Sequence, residues 1–177
     1  MSDISVRIPI TDSRQKYLED NYVSLQNLPG LKDTMYKPVG VDLKNYHPNN
    51  VCLRLRQFSD TSASLTEIKT IKTNVGYADE KTINLSGTPD EMQQKAIEMG
   101  YEKWGKMSVI SSEYKIKIED ETITVLSQTV DPVGIFLKIE SPSQKSLNKL
   151  LIILQVKDNE KIEHNAAVLL GEKLGLI

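Results

Sequence analysis

Strict alternation of apolar and polar residues recurs in three separated segments of the chain. Ile4, Val6 and Ile8 alternate with Asp3, Ser5 and Arg7; Leu53 and Leu55 with Arg54 and Arg56; Ile135, Leu137 and Ile139 with Phe136, Lys138 and Glu140. Successive side chains of a strand point to opposite faces, so each segment predicts a strand with one apolar and one polar or charged face. An antiparallel sheet with one face in water produces the same alternation. Three such faces together predict a charged concave surface. The pair Arg54 and Arg56 is its strongest element, because each guanidinium offers a planar fork of donors suited to phosphate or carboxylate.

The rest of the pattern predicts strands at Ile4–Ile10, Val51–Phe58, Leu65–Thr73, Lys81–Leu85, Met107–Ile118, Thr122–Val130 and Gly134–Glu140. Between them, Asp12 followed by Gln15 predicts a capped helix carrying Tyr17, Leu18, Tyr22, Leu25 and Leu28, stopped by Pro29-Gly30. Leu31 to Asn50 reads as a loop with one edge strand. Thr88-Pro89-Asp90-Glu91 predicts a helix start, with a cap, an early proline and a reciprocal glutamate. A helix after Ser141-Pro142 buries Leu147, Leu150, Leu151 and Leu154, and a last helix runs from about Ile162 to Leu174. The order predicts an α+β fold: an antiparallel sheet, curled or closed into a barrel, with helices packed outside. Closure would remove exposed edges and put the charged faces in the lumen. One domain is expected over residues 1–177.

Composition narrows the function. A net charge of -2 argues against a broad nucleic-acid-binding surface but leaves room for a local basic pocket. The single cysteine, Cys52, allows no internal disulfide, which suits a reducing, cytoplasmic setting. Met1-Ser2-Asp3 shows no basic flank and apolar run, so no signal peptide is expected, and no apolar stretch predicts a membrane span. His47 and His164 are too few for a multi-histidine metal site and read as surface residues. Glu119-Asp120-Glu121 reads as a solvated turn, and the leucines of the third helix as core with a homodimer contact as their other use.

Several segments resemble the CYTH superfamily, the triphosphate tunnel enzymes, whose members include class IV adenylate cyclases and thiamine triphosphatases. Val133-Gly134-Ile135-Phe136-Leu137-Lys138-Ile139-Glu140 is similar to that family's L-G-x-F-x-E-I-E strand, and Leu53-Arg54-Leu55-Arg56 to its L-R-I-R strand. The resemblance implies a β-barrel tunnel with a phosphate-binding lumen. It implies phosphate contacts at Arg7, Arg54, Arg56 and Lys72, with Lys69 as the alternative to Lys72, and Lys138, on the same face, is a further basic candidate for a phosphate contact. It implies Mg²⁺ or Mn²⁺ at Asp3 and Glu140.

The chain departs from the family pattern in ways that carry chemistry. The opening E-x-E-x-K reads Asp3, Ser5 and Arg7. The family's K-x-R pair falls on Val109 and Ser111, with Lys106 as a substitute only if the register slips. A family Asp falls on Gln128, and Lys138 replaces a Glu. Glu67 and Glu113 are further acids. Such a lumen predicts binding of a small phosphorylated ligand, a nucleotide or polyphosphate, with no nucleic-acid or membrane partner. Turnover, where present, would be metal-dependent triphosphate hydrolysis ahead of nucleotide cyclisation. The alternative is a non-catalytic module that keeps the tunnel and has lost the metal site, and no catalytic residue is assigned.

Overall fold

A computed structural model describes residues 3–42, 45 and 51–177. Its strands are β1 (Ile4–Pro9), β2 (Ser24–Pro38), β3 (Cys52–Gln57), β4 (Ala63–Lys72), β5 (Tyr77–Gly87), β6 (Tyr101–Ile118), β7 (Glu121–Asp131) and β8 (Gly134–Ser141). Its helices are α1 (Asp12–Asn21), α2 (Pro89–Glu98), α3 (Gln144–Ile153) and α4 (Ala166–Lys173). The eight strands form an antiparallel sheet that closes on itself in the order β1-β5-β4-β3-β2-β6-β7-β8. Closure is uneven. β1 pairs with β8 over six positions, from Ile4↔Ser141 to Pro9↔Phe136, but meets β5 only at Ser5↔Tyr77.

The outward faces of the strands are apolar and are covered by helices. Val6 and Ile8 of β1, Ile116 and Ile118 of β6, Ile123 and Val125 of β7, and Leu137 and Ile139 of β8 pack with Leu18 of α1 and the leucines of α3. A second cluster joins Leu53, Leu55 and Leu65 to Met92 and Ala96 of α2. The α2 start follows the sequence expectation. Thr88 accepts from the Glu91 backbone N–H while Glu91 accepts from that of Thr88, with Pro89 in the first turn.

α4 takes a different position. Ala167 and Leu170 pack with Met35, Cys52, Met107, Val109 and Val130, whose side chains lie on the inner side of the sheet. Gly105 of β6 permits the close approach, since a Cβ there would lie 2.7 Å from the Leu170 side chain. The segment before α4 is tied to β1 by paired backbone hydrogen bonds between Arg7 and Ile162, of 3.1 and 2.8 Å. α4 and its N-terminal approach therefore form a floor to the lumen, where outside packing was expected for all helices.

The largest departure from the sequence pattern is β2. The first helix ends at Asn21, with Tyr22 as its C-cap, and Thr11 rather than Asp12 caps its start. Leu28, Pro29 and Gly30 lie in a strand that pairs with both β3 and β6. Proline has no N–H for a ladder and is tolerated at irregularities. The β2–β6 register indeed shifts between Leu28 and Leu31. Pairing on both edges stabilises the strand through contacts distant in sequence, which local breakers do not outweigh.

Candidate functional site

The inward faces of β1, β3 and β8 carry the residues that alternation assigned to them. They open onto a cavity of about 500 Å³. Five cationic side chains (Arg7, Arg54, Arg56, Lys81 and Lys138) and four carboxylates (Asp3, Asp33, Asp79 and Glu140) line it, a formal excess of one positive charge. Of the residues predicted for the site, Asp3, Arg7, Arg54, Arg56, Lys138 and Glu140 come together here.

Lys72 does not. Its side chain is 77% exposed and pairs with Glu163 at 2.7 Å. Lys69 is exposed as well. Ile68 of β4 faces the cavity instead, and the lysine on this side is Lys81, from β5. Lys106 lies outside, by a surface hollow shared with Gln93 and Lys103, so the register does not slip and Val109 and Ser111 face the lumen. Glu67 is engaged by Tyr101 at 3.0 Å and by Thr82, and Glu113 by Lys115 at 2.9 Å. His164 is half-buried, while His47 lies outside the described residues.

The cations differ in how far they are already committed. Arg56 makes a two-pronged ion pair with Asp33, Nε to Oδ1 at 2.8 Å and Nη2 to Oδ2 at 2.6 Å. Burial works against its charge, but the Asp33 carboxylate more than restores it and the guanidinium pKa is raised. Arg7 donates through Nη1 to the Tyr77 hydroxyl and to the His164 carbonyl, the latter at 2.8 Å. Burial pushes the Tyr77 phenol up to about 12, against the pull of Arg7. Lys138 pairs with Glu140.

Arg54 has no such commitment. Its Nε, like that of Arg7, is buried with no hydrogen-bond partner among the described residues, but unlike Arg7 it has no hydrogen bond or ion pair elsewhere on its guanidinium. Burial, and then the neighbouring charge of Arg56, hold its pKa below the usual arginine range. A cation so placed is under-compensated and is favourable ground for an anion.

The carboxylates are poorly arranged for the metal that the resemblance implies. Mg²⁺ needs several oxygen ligands in near-octahedral geometry. Both oxygens of Asp33 are taken by Arg56, and Glu140 is taken by Lys138. Asp79 accepts from Thr70 at 2.7 Å, and Asp3 is exposed. Ser5 and Gln128 replace acids, and Gln128 donates to Ser111 at 3.1 Å. Among the described residues no group of three His, Cys, Asp or Glu side chains converges as a metal site. The donor set does not fit a divalent cation; the Lys138 ammonium holds the carboxylate that an ion would need.

By sequence, no protein-family model and no curated protein matches the chain. By structure, the PH1819 protein of Pyrococcus horikoshii OT3 superposes with a TM-score of 0.70 at 16% identity, covering 97% of this chain and 99% of that one. The PH1012 protein of the same organism gives 0.69 at 14%, covering 95% and 99%. HpAC1 from Hippeastrum, a protein with a dominant triphosphatase activity, gives 0.64 at 13%, covering 99% and 96%. The chain shares the fold of these structures, a closed antiparallel tunnel with helices, which is the fold that the sequence resemblance implied. In this tunnel the strand of Arg54 and Arg56 is β3, and Ser5, Val109, Ser111, Gln128 and Lys138 are all wall positions of the same lumen.

Sequence reasoning missed Asp33, Asp79 and Lys81. Asp33 sits on the unforeseen β2. Asp79 and Lys81 alternate on a β5 that starts at Tyr77, earlier than the expected Lys81. The signal was present as Tyr77-Ala78-Asp79-Glu80-Lys81, but its polarity on both faces concealed the period.

The Lys138–Glu140 pair makes stability depend on acid. Burial would raise the Glu140 pKa, but Lys138 and then Arg7 outweigh it and hold the carboxyl below the usual range. A depressed folded-state pKa contributes stability above the unfolded value and loses it as pH falls through the folded value. Thermal midpoints taken across the acid range should therefore fall more steeply for the unaltered protein than for Glu140→Gln; parallel curves would remove Glu140 from the acid response.

Proposed function

We propose that the lumen binds the phosphate groups of a triphosphate-containing or other polyanionic ligand, and that its own side chains rather than a divalent cation neutralise it. The observation that carries this reading is Arg54, an inward guanidinium whose Nε lacks a protein partner among the described residues. A phosphate oxygen would supply the missing acceptor, and charge-assisted bonds of this kind are about twice as strong as neutral ones. Lys81 lines the same cavity and adds positive charge, and Lys138 lines it paired with Glu140. The function is binding; hydrolysis is the second reading, supported by the triphosphatase activity of the Hippeastrum protein.

Calorimetry and thermal shift with tripolyphosphate, ATP and thiamine triphosphate, in EDTA and in Mg²⁺ or Mn²⁺, test both. Saturable binding in EDTA that weakens with added salt is expected, together with a stabilisation of about 2.7 kcal/mol at a hundredfold excess over Kd. No binding by any of the three under either condition would overturn the proposal. Phosphate release that requires Mg²⁺ or Mn²⁺ would establish the hydrolase reading in its place.

A further inference from the structure

The charges of the lumen are not spread evenly around its wall. In ring order, β8, β1, β5, β4 and β3 are contiguous, and seven of the nine charged lining residues lie on them, with Asp3 immediately before β1. The remaining arc, β2, β6 and β7, contributes only Asp33 to the charged set, and Arg56 holds both of its oxygens. Among the described residues, the other polar side chains of that arc facing the cavity, Ser111 and Gln128, share a hydrogen bond. What this arc offers is Leu31, Met107, Val109 and Val130. The floor is apolar as well, with Ala166 and Ala167 of α4 beside Met35 and Cys52.

The cavity is thus two-sided: one wall carries all five cations, Arg54 without a protein partner among the described residues, together with Asp3, Asp79 and Glu140, and the other offers hydrocarbon and thioether. A phosphate chain alone would leave the apolar arc without a partner, and about 500 Å³ is the volume of a site for a whole small organic molecule. A nucleobase would fill the space, but besides Asp33 the arc offers its several ring donors and acceptors only Ser111 and Gln128, which already share one hydrogen bond, so most of those groups would find no partner. Leaving those base groups unpaired would oppose binding. A hydrocarbon group loses nothing there and gains the burial of its surface.

Resting on the phosphate-binding reading of this lumen, we infer that its ligand is a phosphate or diphosphate ester of an apolar, hydrocarbon-like group, with the phosphates at Arg54, Lys81 and Lys138 and the hydrocarbon against Met107, Val109, Val130 and the α4 floor. Met35 and Met107 suit such an occupant, since thioether side chains adapt to irregular apolar shapes.

The test is calorimetry of the full chain with geranyl diphosphate, ADP, inorganic pyrophosphate and geraniol. The first three share a diphosphate and differ in what it carries. Geranyl diphosphate should bind at least about tenfold more tightly than pyrophosphate or ADP, because several buried methylenes each add to affinity. Geraniol should bind more weakly than geranyl diphosphate. Val109→Thr, close in shape, should weaken geranyl diphosphate by about fourfold and leave pyrophosphate unchanged. Pyrophosphate or ADP binding as tightly as geranyl diphosphate would overturn this inference and leave phosphate binding standing. Geraniol binding as tightly as its diphosphate, or no binding of any phosphate compound, would overturn the phosphate-binding reading itself.

Discussion

Replacing Arg54 by Met should weaken phosphate binding by about 10- to 100-fold and raise the thermal midpoint, while Arg56→Met, two residues along the same strand, should lower it. The two arginines share a face, but their surroundings oppose each other. Arg54 has a buried Nε without a partner among the described residues, so its charge is desolvated for little return from the protein. Exchanging such a group for an apolar one of similar length removes that penalty, by about 1 kcal/mol. The affinity loss follows from deleting charge-assisted hydrogen bonds worth about 1.5–3 kcal/mol. Arg56 is the partner of Asp33, whose side chain is 0% exposed. Removing it strands a buried carboxylate, a change of about 3 kcal/mol or more. For a chain of this size that lowers the midpoint by about 6–12 °C. Differential scanning calorimetry and titration with tripolyphosphate measure both effects. A destabilised Arg54→Met with undiminished affinity would remove Arg54 from the binding role.

That contrast was not legible in the sequence, where Leu53-Arg54-Leu55-Arg56 makes the two arginines equivalent. Alternation told which face each would occupy, and β1, β3 and β8 follow it. It told nothing of what stands across the lumen. Asp33, which distinguishes the two, lies on β2, and β2 was hidden by Pro29, Gly30 and a helix-like spacing from Tyr17 to Leu28. Its pairing partners are distant: Asp33 lies opposite Arg56 on one side and Met107 on the other. Local propensity cannot report such pairing. Lys72 illustrates the converse. Its spacing suited an inward lysine, but it sits at the end of β4 opposite Tyr77, where Glu163 of the α4 approach engages it outside the cavity. The closing floor was equally out of reach, because the apolar spacing of α4 says that a face is buried and not against which side of the sheet.

Closure of the ring depends on a glycine, and Gly76→Ala should be among the most damaging single substitutions in the chain. β1 meets β5 at one register pair, Ser5↔Tyr77, and Gly76 immediately precedes it. A Cβ on Gly76 would lie 2.0 Å from the Ser5 carbonyl oxygen and 3.0 Å from its carbon. Both are backbone atoms of a strand held on its other edge by six pairs to β8, so β1 cannot yield alone. Either β5 moves out, losing the pair, or β1 shifts with β8. Overpacking of this kind typically destabilises by about 1–3 kcal/mol, and the absence of a flexible side chain to absorb it places this case at about 3. The site would suffer with the fold. Asp79 and Lys81 follow on β5, Arg7 follows Ser5 on β1, and the Arg7–Tyr77 hydrogen bond spans the seam. The expected result is a midpoint lower by about 6–12 °C, with hydrogen exchange of the Tyr77 and Arg7 amides accelerated before those of β6 and β7. A variant with an unchanged midpoint and unchanged exchange would mean that the seam does not hold the ring closed, and the two halves of the lumen wall would then owe their positions to β8 and the Arg7–Ile162 bridge instead.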